Sequence, residues 1–272
     1  GHELANYFKG LKMKKLQQLF ITITLMLFTA LAHGAIVSIP FDVQFRDFET
    51  THPDFDNGPI PGLTTGMVEE WLVGGVPVFN GPDGYGAVDD ATTFSTWYTG
   101  ACDDGSTSCV NEYNLQIIAS LDTDTNTISY KNNSFFPLDS YPDNDGYNHN
   151  FFFTALLEMD LIYNAANNNI FDFVGDDDVW VFINGKLVLD IGGIHSATPG
   201  SFDMTQVAAD LGIGEGEVYS FSFFFAERHY SQSNVEIVAS IGSPVDVPEP
   251  STFAIFALGL IGLASRRFKK QS

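Results

Sequence analysis

The stretch FVGDDDVWVFINGKLVLDIGGIH, Phe173 to His195, decides the fold. Its centre is two apolar runs, VWVFI and KLVLD, joined by Asn184-Gly185. A two-residue type I′ turn needs positive φ at both central positions, and Asn-Gly adopts that conformation at little cost, so the chain is expected to fold back on itself as a β-hairpin. Immediately ahead stand Asp176, Asp177 and Asp178. Adjacent anions raise each other's free energy, so this corner calls for open water or for a cation.

Outward from the hairpin the pattern stays that of strands. Val181–Leu189, Tyr219–Phe225 and Val235–Ile241 are β-branched or aromatic and often alternate, with Gly, Asn, Asp and Pro between them. One helix is expected at Met204–Leu211, where Val207, Ala208 and Leu211 share a face and Gly212 caps the end. GLTTGMVEEWLVGG, around Glu69, reads equally as a second helix or as loop. Neither a repeat nor a linker-like composition divides residues 36–246. The expected fold is therefore mainly β: one antiparallel β-sandwich over residues 35–246 with long loops and one or two short helices, flanked by apolar helical segments at both ends.

Charge separates the body from those ends. Residues 1–34 carry +3 and residues 251–272 carry +4, which leaves −29 of the total −22 for residues 35–250. Within that body only Arg46, Lys131, Lys186 and Arg228 are basic. A field of this sign repels phosphate backbones and favours divalent cations and uncharged ligands, so nucleic acid binding is excluded.

From Met13 the sequence reads MKKLQQLFITITLMLFTALAHGA: two lysines, an apolar stretch and then small residues. This is the pattern of a secretory signal peptide, with Met13 as the expected start and signal peptidase as the processing partner. Ala32-His33-Gly34 permits cleavage before Ala35, and Ala30-Leu31-Ala32 permits it two residues earlier. The only cysteines, Cys102 and Cys109, lie in the polar loop TGACDDGSTSCVNE; in an oxidising compartment they are expected to form a disulfide, since CDDGSTSC lacks a second pair of zinc ligands.

Beyond Asp246 the chain reads VPEPSTFAIFALGLIGLASRRFKKQS. A helix of about 14 residues spans only about 21 Å of a ~30 Å hydrocarbon core, so the apolar run is a marginal anchor suited to a transient stay. The motif around Pro248, Glu249 and Pro250, followed by that run and a basic cluster at Arg266, Arg267, Lys269 and Lys270, resembles the PEP-CTERM sorting signal. The resemblance implies recognition by an exosortase, removal of the tail over 247–272, and release to the outside of an exopolysaccharide-producing Gram-negative bacterium.

The body has resemblances of its own. Asp176-Asp177-Asp178 followed by Asn184-Gly185 is similar to the hairpin of the PA14 lectin-like domain, with Asp178 where that pattern has Gly. This implies that Asp176 and Asp177, joined by a cis peptide bond, hold calcium at an accessible rim of the sandwich. A closer likeness is to the fibro-slime domain family. It rests on Arg46-Asp47-Phe48, His52-Pro53-Asp54-Phe55, Phe135-Phe136-Pro137-Leu138-Asp139, His149-Asn150 with Phe153-Thr154, the GDDDVW block and Ala226-Glu227-Arg228-His229, in family order. That resemblance implies a secreted surface or matrix protein linked to adhesion and slime, with no catalytic activity attached.

Calcium takes six to eight oxygens, which two or three carboxylates with carbonyls and water supply. Asp176 and Asp177 are the candidate metal ligands, against a reading as solvated loop acids. Asp178, His195, Glu227, Arg228 and His229 are candidate contacts for a glycan at the same rim. The plainer readings are that Asp178 points outward, that the histidines are satisfied loop residues, and that Glu227 and Arg228 pair with each other. Asp190 is expected to hydrogen-bond the turn IGGIH. LDTDTNTIS and PDNDGYN lack the EF-hand frame and read as polar turns. Three function classes follow: a calcium-dependent module binding extracellular polysaccharide, a purely structural matrix protein, and a secreted glycosidase. Adjacent aspartates disfavour the last, because its two carboxylates stand about 5–10 Å apart and usually come from separate strands.

Overall fold

The computed structural model describes residues 35–55, 60–102, 109–141 and 146–245. Both expected terminal segments, the signal peptide over 1–34 and the sorting tail over 247–272, lie outside the described residues. No helix among the described residues is long and apolar enough to cross a membrane.

Among the described residues, the strands are β1 (Ile36–Asp47), β2 (Asn111–Asp122), β3 (Thr127–Asn132), β4 (Phe153–Ile162), β5 (Ile170–Asp176), β6 (Asp178–Ile183), β7 (Lys186–Ile191), β8 (Thr198–Asp203), β9 (Val218–Glu227), β10 (Asn234–Ala239) and β11 (Ser243–Pro244). They form one sheet in the order β7-β6-β9-β4-β1-β2-β3-β10-β5-β8, with β11 added beside β4. Every ladder is antiparallel. The sheet curls so that strands far apart in this order face each other: Phe173 of β5 and Phe223 of β9 have ring centroids 5.9 Å apart. Gly200 of β8 closes the curl, because a Cβ there would collide with Leu189 and Ile191 of β7 at the opposite end of the sheet. The mainly β architecture agrees with the expectation from strand-length apolar runs.

The decisive stretch folds as its turn chemistry dictates. Asn184 and Gly185 have φ of 48° and 79°, and β6 pairs with β7 across them, with a bulge between Val181 and Phe182. All six residues of β6 are buried, which a strand with one solvated face does not allow. The alternation explains this. Val179, Val181 and Ile183 enter the core inside the curled sheet, while Trp180 and Phe182 enter a second core on its outer face. β9 divides likewise, with Phe221, Phe223 and Phe225 inward and Phe224 and Ala226 outward. The segment carrying Phe48, Phe55, Met67, Phe79, Phe94 and Trp97 covers that outer face.

Two α-helices occur among the described residues. The first, α1 (Ala91–Phe94), starts with a capping box between Asp90 and Thr93. The second, α2 (Met204–Leu211), occupies the predicted span; Asp203 accepts from Thr205 N at 2.7 Å and Gly212 ends it at φ 69°. The stretch around Glu69 is loop: Gly74 and Gly75 turn it with φ of 64° and 89°, and isolated bridges tie Val68 to Phe79 and Trp71 to Lys186. Cys102 and Cys109 are disulfide-bonded, with Cα atoms 4.6 Å apart.

Candidate functional site

The three aspartates occupy a corner where β5 passes into β6, beside the end of β9 and the start of β10. The Asp176–Asp177 peptide is cis. Gly175 explains how β10 comes so close, since a Cβ there would meet the carbonyl oxygen of Asn234. Asn234 then donates to Asp176 twice, from its backbone N at 2.5 Å and from Nδ2 at 2.9 Å. Asp177 accepts the backbone N–H of His195 at 3.0 Å on one oxygen and that of Arg228 at 3.1 Å on the other.

Asp178 behaves differently from its neighbours. Its Oδ2 accepts from Arg228 Nε at 2.6 Å, and its Oδ1 accepts from Arg228 Nη2 at 3.2 Å and from Gly193 N at 2.5 Å. The remaining Arg228 donors go to the carbonyls of Gly86, Ala87 and Asp54, and the guanidinium lies 4.8 Å from the Trp97 ring centroid. Asp178 and Arg228 are both wholly buried. A buried ion pair with every donor used is stable only when its geometry satisfies both partners, and here it also pins the outer-face segment to the sheet.

Several expectations are corrected by this arrangement. Asp178 points inward, and with Arg228 it offers no surface to a glycan. Arg228 pairs with Asp178 and not with Glu227, because successive residues of a strand project to opposite faces. The corner is no open rim: Asp176 and Asp177 are each 3 % exposed, Glu227 1 % and His195 7 %. His229 alone of the five glycan candidates is partly exposed; its Nδ1 meets Ser231 Oγ at 2.9 Å and its ring stacks on Tyr230. Asp190 does hydrogen-bond, but to Gly66 N and Trp180 Nε1 and not to the IGGIH turn, whose backbone is held by Asp177 and Asp178.

Electrostatics divides the corner in two. Burial raises the Asp176 carboxyl above its ordinary range, and the hydrogen bonds from Asn234 pull it back. Burial and then the charge of Asp178 push Asp177 up to about 7, against the pull of Arg228 and two backbone N–H groups. Glu227 is pushed well above the usual range by burial and then by Asp177, and its Oε2 has no hydrogen-bond partner among the described residues. Burial lowers His229. Among the described residues, no Lys or Arg forms an ion pair with Asp176, Asp177 or Glu227.

The chemistry of the donor set suits a hard cation. A carboxylate has about four lone-pair positions, and Asp176 and Asp177 each use two, which leaves acceptor capacity on both. Among the described residues, however, no three His, Cys, Asp or Glu side chains stand gathered as a metal-binding group. A cation held here would have to draw on backbone and water oxygens as well as on the two aspartates.

Residues 246–270 match the PEP-CTERM protein-sorting motif. The chain is 30% identical to protein psiF of Dictyostelium discoideum over 257 residues, 84% of this chain and 35% of psiF. It is 37% identical to psiH and 40% to psiI of the same organism over 138 residues, 47% of this chain and 18% of each relative. The chain is thus similar to the psi proteins, of the fibro-slime family, and carries a PEP-CTERM sorting motif. It thus spans roughly a third or less of the length of these three relatives. Among solved structures it is similar to the PA14 domain of the MpAFP antifreeze protein, at TM-score 0.28 and 14% identity over 47% of this chain and 71% of that one. It is also similar to a GH31 alpha-xylosidase of Xanthomonas citri, at TM-score 0.25 and 11% identity over 50% and 15%. The sorting motif implies secretion and exosortase-directed sorting to the bacterial cell surface.

Several of the blocks that carry the fibro-slime resemblance hold the outer-face segment or the loop beside it, while Phe135, Leu138 and Phe153 enter the inner core. Arg46 donates to the carbonyls of Thr99 and Gly100, and Asp47 accepts from Asn150 Nδ2 at 2.7 Å. Asp54, buried, accepts from Asp89 N, Thr93 Oγ1 and Trp97 Nε1. Asp139 accepts from Asn150 N while His149 stacks on Phe136, which joins two blocks into one contact. Asn234 and Gly175 are the participants that reasoning from carboxylates misses. The signal available for Asn234 was its place at the start of the alternating run NVEIVA, 58 residues from Asp176 in sequence yet paired with it in the sheet.

Proposed function

We propose that this secreted surface protein binds calcium at the Asp176–Asp177–Asn234 corner and, through that corner, an uncharged extracellular glycan, as a non-catalytic adhesion module of an exopolysaccharide matrix. The observation that carries the reading is that three buried acids, Asp176, Asp177 and Glu227, have no Lys or Arg ion-pair partner among the described residues, beside an Asn that donates to the first of them. Calcium bound there supplies positive charge to the buried carboxylates. Asp176 and Asp177 hold it; Asn234 orients Asp176, and the N–H groups of His195 and Arg228 orient Asp177. Partly exposed His229 and the adjacent Tyr230, 42 % exposed, form the part of this edge that reaches solvent. Signal peptidase acts before Ala35 or two residues earlier, and an exosortase of a Gram-negative inner membrane removes the tail.

One observation favours a second reading, a purely structural matrix protein: both Asp177 oxygens already accept backbone N–H groups, so the aspartate also stitches the corner without metal. A glycan array read in calcium and in chelator separates the two. Retention on particular sugars that disappears in chelator supports the proposal. No retention in either condition, together with a melting midpoint indifferent to millimolar calcium, leaves the structural role. Release of reducing ends from polysaccharide selects the glycosidase.

A further inference from the structure

β1 and β4 are neighbours in the sheet, but they pair only over Gln44–Asp47 and Phe153–Leu156. Their other halves part. β11 occupies part of the gap, pairing with Leu161 and Ile162, and Val245 N donates to the carbonyl of Asp160. Between β1 and the middle of β4 an opening of about 300 Å³ remains, with Asp42, Glu158 and Asp160 exposed around it and no basic residue in its lining. Behind it, inside the curled sheet, lies a cavity of about 100 Å³ lined almost wholly by apolar side chains from both layers. The two share Phe41, Leu157 and Met159. The alternation of β4 builds this junction: Leu157 and Met159 face in, Glu158 and Asp160 face out.

We infer that this is a second binding site, for a small amphiphile whose short apolar part enters the chamber and whose cationic head stays at the acidic mouth. A dry apolar cavity of about 150 Å³ accommodates a benzene-sized molecule, so a chamber of two-thirds that size takes the last few methylenes of a short chain whose remainder lies in the larger opening, and it excludes a membrane-length chain. Ligand sites are commonly apolar hollows with a few polar groups that set orientation, and the mouths of curled sheets are among their usual places. The three carboxylates set the sign of the head, and the low dielectric of the chamber wall sharpens that preference. Asp42 is held in place by Gln116, whose Nε2 donates to it at 3.0 Å.

The test is calorimetric titration of the full-length protein with octyltrimethylammonium, octyl sulfate and tetramethylammonium below micellar concentration. The expected result is one saturable octyltrimethylammonium site, at least tenfold weaker binding of octyl sulfate, and no comparable binding of the head alone. Ala155→Leu and Ala119→Leu, which fill the chamber from different strands, should each weaken that site at least tenfold while the apolar run of the tail stays unchanged. Xenon, which enters dry apolar cavities, should compete with the octyl compound in the wild-type protein, a readout independent of how well the filled variants fold. The inference is overturned by equal affinity for tetramethylammonium or for octyl sulfate, by unaltered binding in both folded variants, or by the absence of competition with xenon.

Discussion

Asp177 and Asp178 are consecutive, equally hidden from water, and electrostatically opposite. Asp178 meets a guanidinium in a two-pronged contact and a backbone N–H besides, and Arg228 spends its other donors on carbonyls of the outer-face segment. Asp177 has only backbone N–H groups, and Asp176 and Glu227 near it are acids as well. The first half of the corner is complete as it stands. The second is short of positive charge. A buried charge is tolerated when its partner is buried with it, so burial alone does not distinguish a structural carboxylate from a binding one; the inventory of partners does.

The largest effect should come from breaking the complete half. Arg228→Met leaves Asp178 buried and unpaired and releases three carbonyls of the outer-face segment, so urea unfolding should show a loss of about 3–5 kcal/mol. Asp178→Leu combined with Arg228→Met should recover part of it, because removing both charges costs less than stranding one. If the single variant is as stable as wild type, the pair does not hold the segment.

The incomplete half should declare itself in the pH dependence of the metal-free protein. Asp177 titrates at about 7 in the fold and near 3.9 when unfolded, so between those values the native state holds a proton that the unfolded state has lost. Stability from this group is fully present below about pH 4 and is lost as pH rises to about 7, on the order of 4 kcal/mol for the full window. Glu227, raised for the same reason, extends the fall in the same direction. In chelator the melting midpoint should therefore decline from pH 4 to pH 7 over and above the response of the exposed acids. A midpoint that rises across that window contradicts the charge deficit.

Calcium should reverse that decline. Binding to the folded state alone adds about 2.7 kcal/mol at one hundred times Kd, and at roughly 2–4 °C per kcal/mol for a chain of this size the midpoint should rise by about 5–10 °C at pH 7.5. The rise should shrink toward pH 5, where the carboxylates hold protons against the metal. An unchanged midpoint in millimolar calcium at pH 7.5 removes the metal from the proposal.

Much of this architecture was legible in local chemistry. Asn184-Gly185 specified the hairpin, and Gly212 marked the end of α2, because turns and caps are written in a few adjacent residues. The corner was legible only in part. GDDD announced a concentration of charge, but its division into a paired and an unpaired half depends on Arg228, 50 residues away, and on which face of β9 that side chain takes. An ion pair between Glu227 and Arg228 is the natural reading of two adjacent opposite charges in a sequence; strand alternation overrules it. The second core was hidden for a related reason: an all-apolar VWVFI reads as an ordinary buried strand, and nothing in it tells that a loop segment covers the outer face.

The smallest effect makes the sharpest comparison, since it applies one substitution to two adjacent residues. Asp178→Asn removes the charge that Arg228 needs, and the variant should lose stability in chelator and in calcium alike. Asp177→Asn has two opposing consequences in chelator. It abolishes the cost of burying a carboxyl beside other acids, and it replaces one of two accepting oxygens by an amide that cannot accept from His195 N or Arg228 N. A buried backbone donor left without its acceptor costs about 1–3 kcal/mol, less than the roughly 4 kcal/mol that the pH window assigns to the buried charge, so the variant should match or exceed wild type at pH 7.5 in chelator. In calcium it should trail wild type by most of the metal's 5–10 °C. Paired melts of the two variants in both buffers decide the matter: if Asp177→Asn loses as much as Asp178→Asn in chelator, the two halves of the corner are one structural unit and the case for a cation fails.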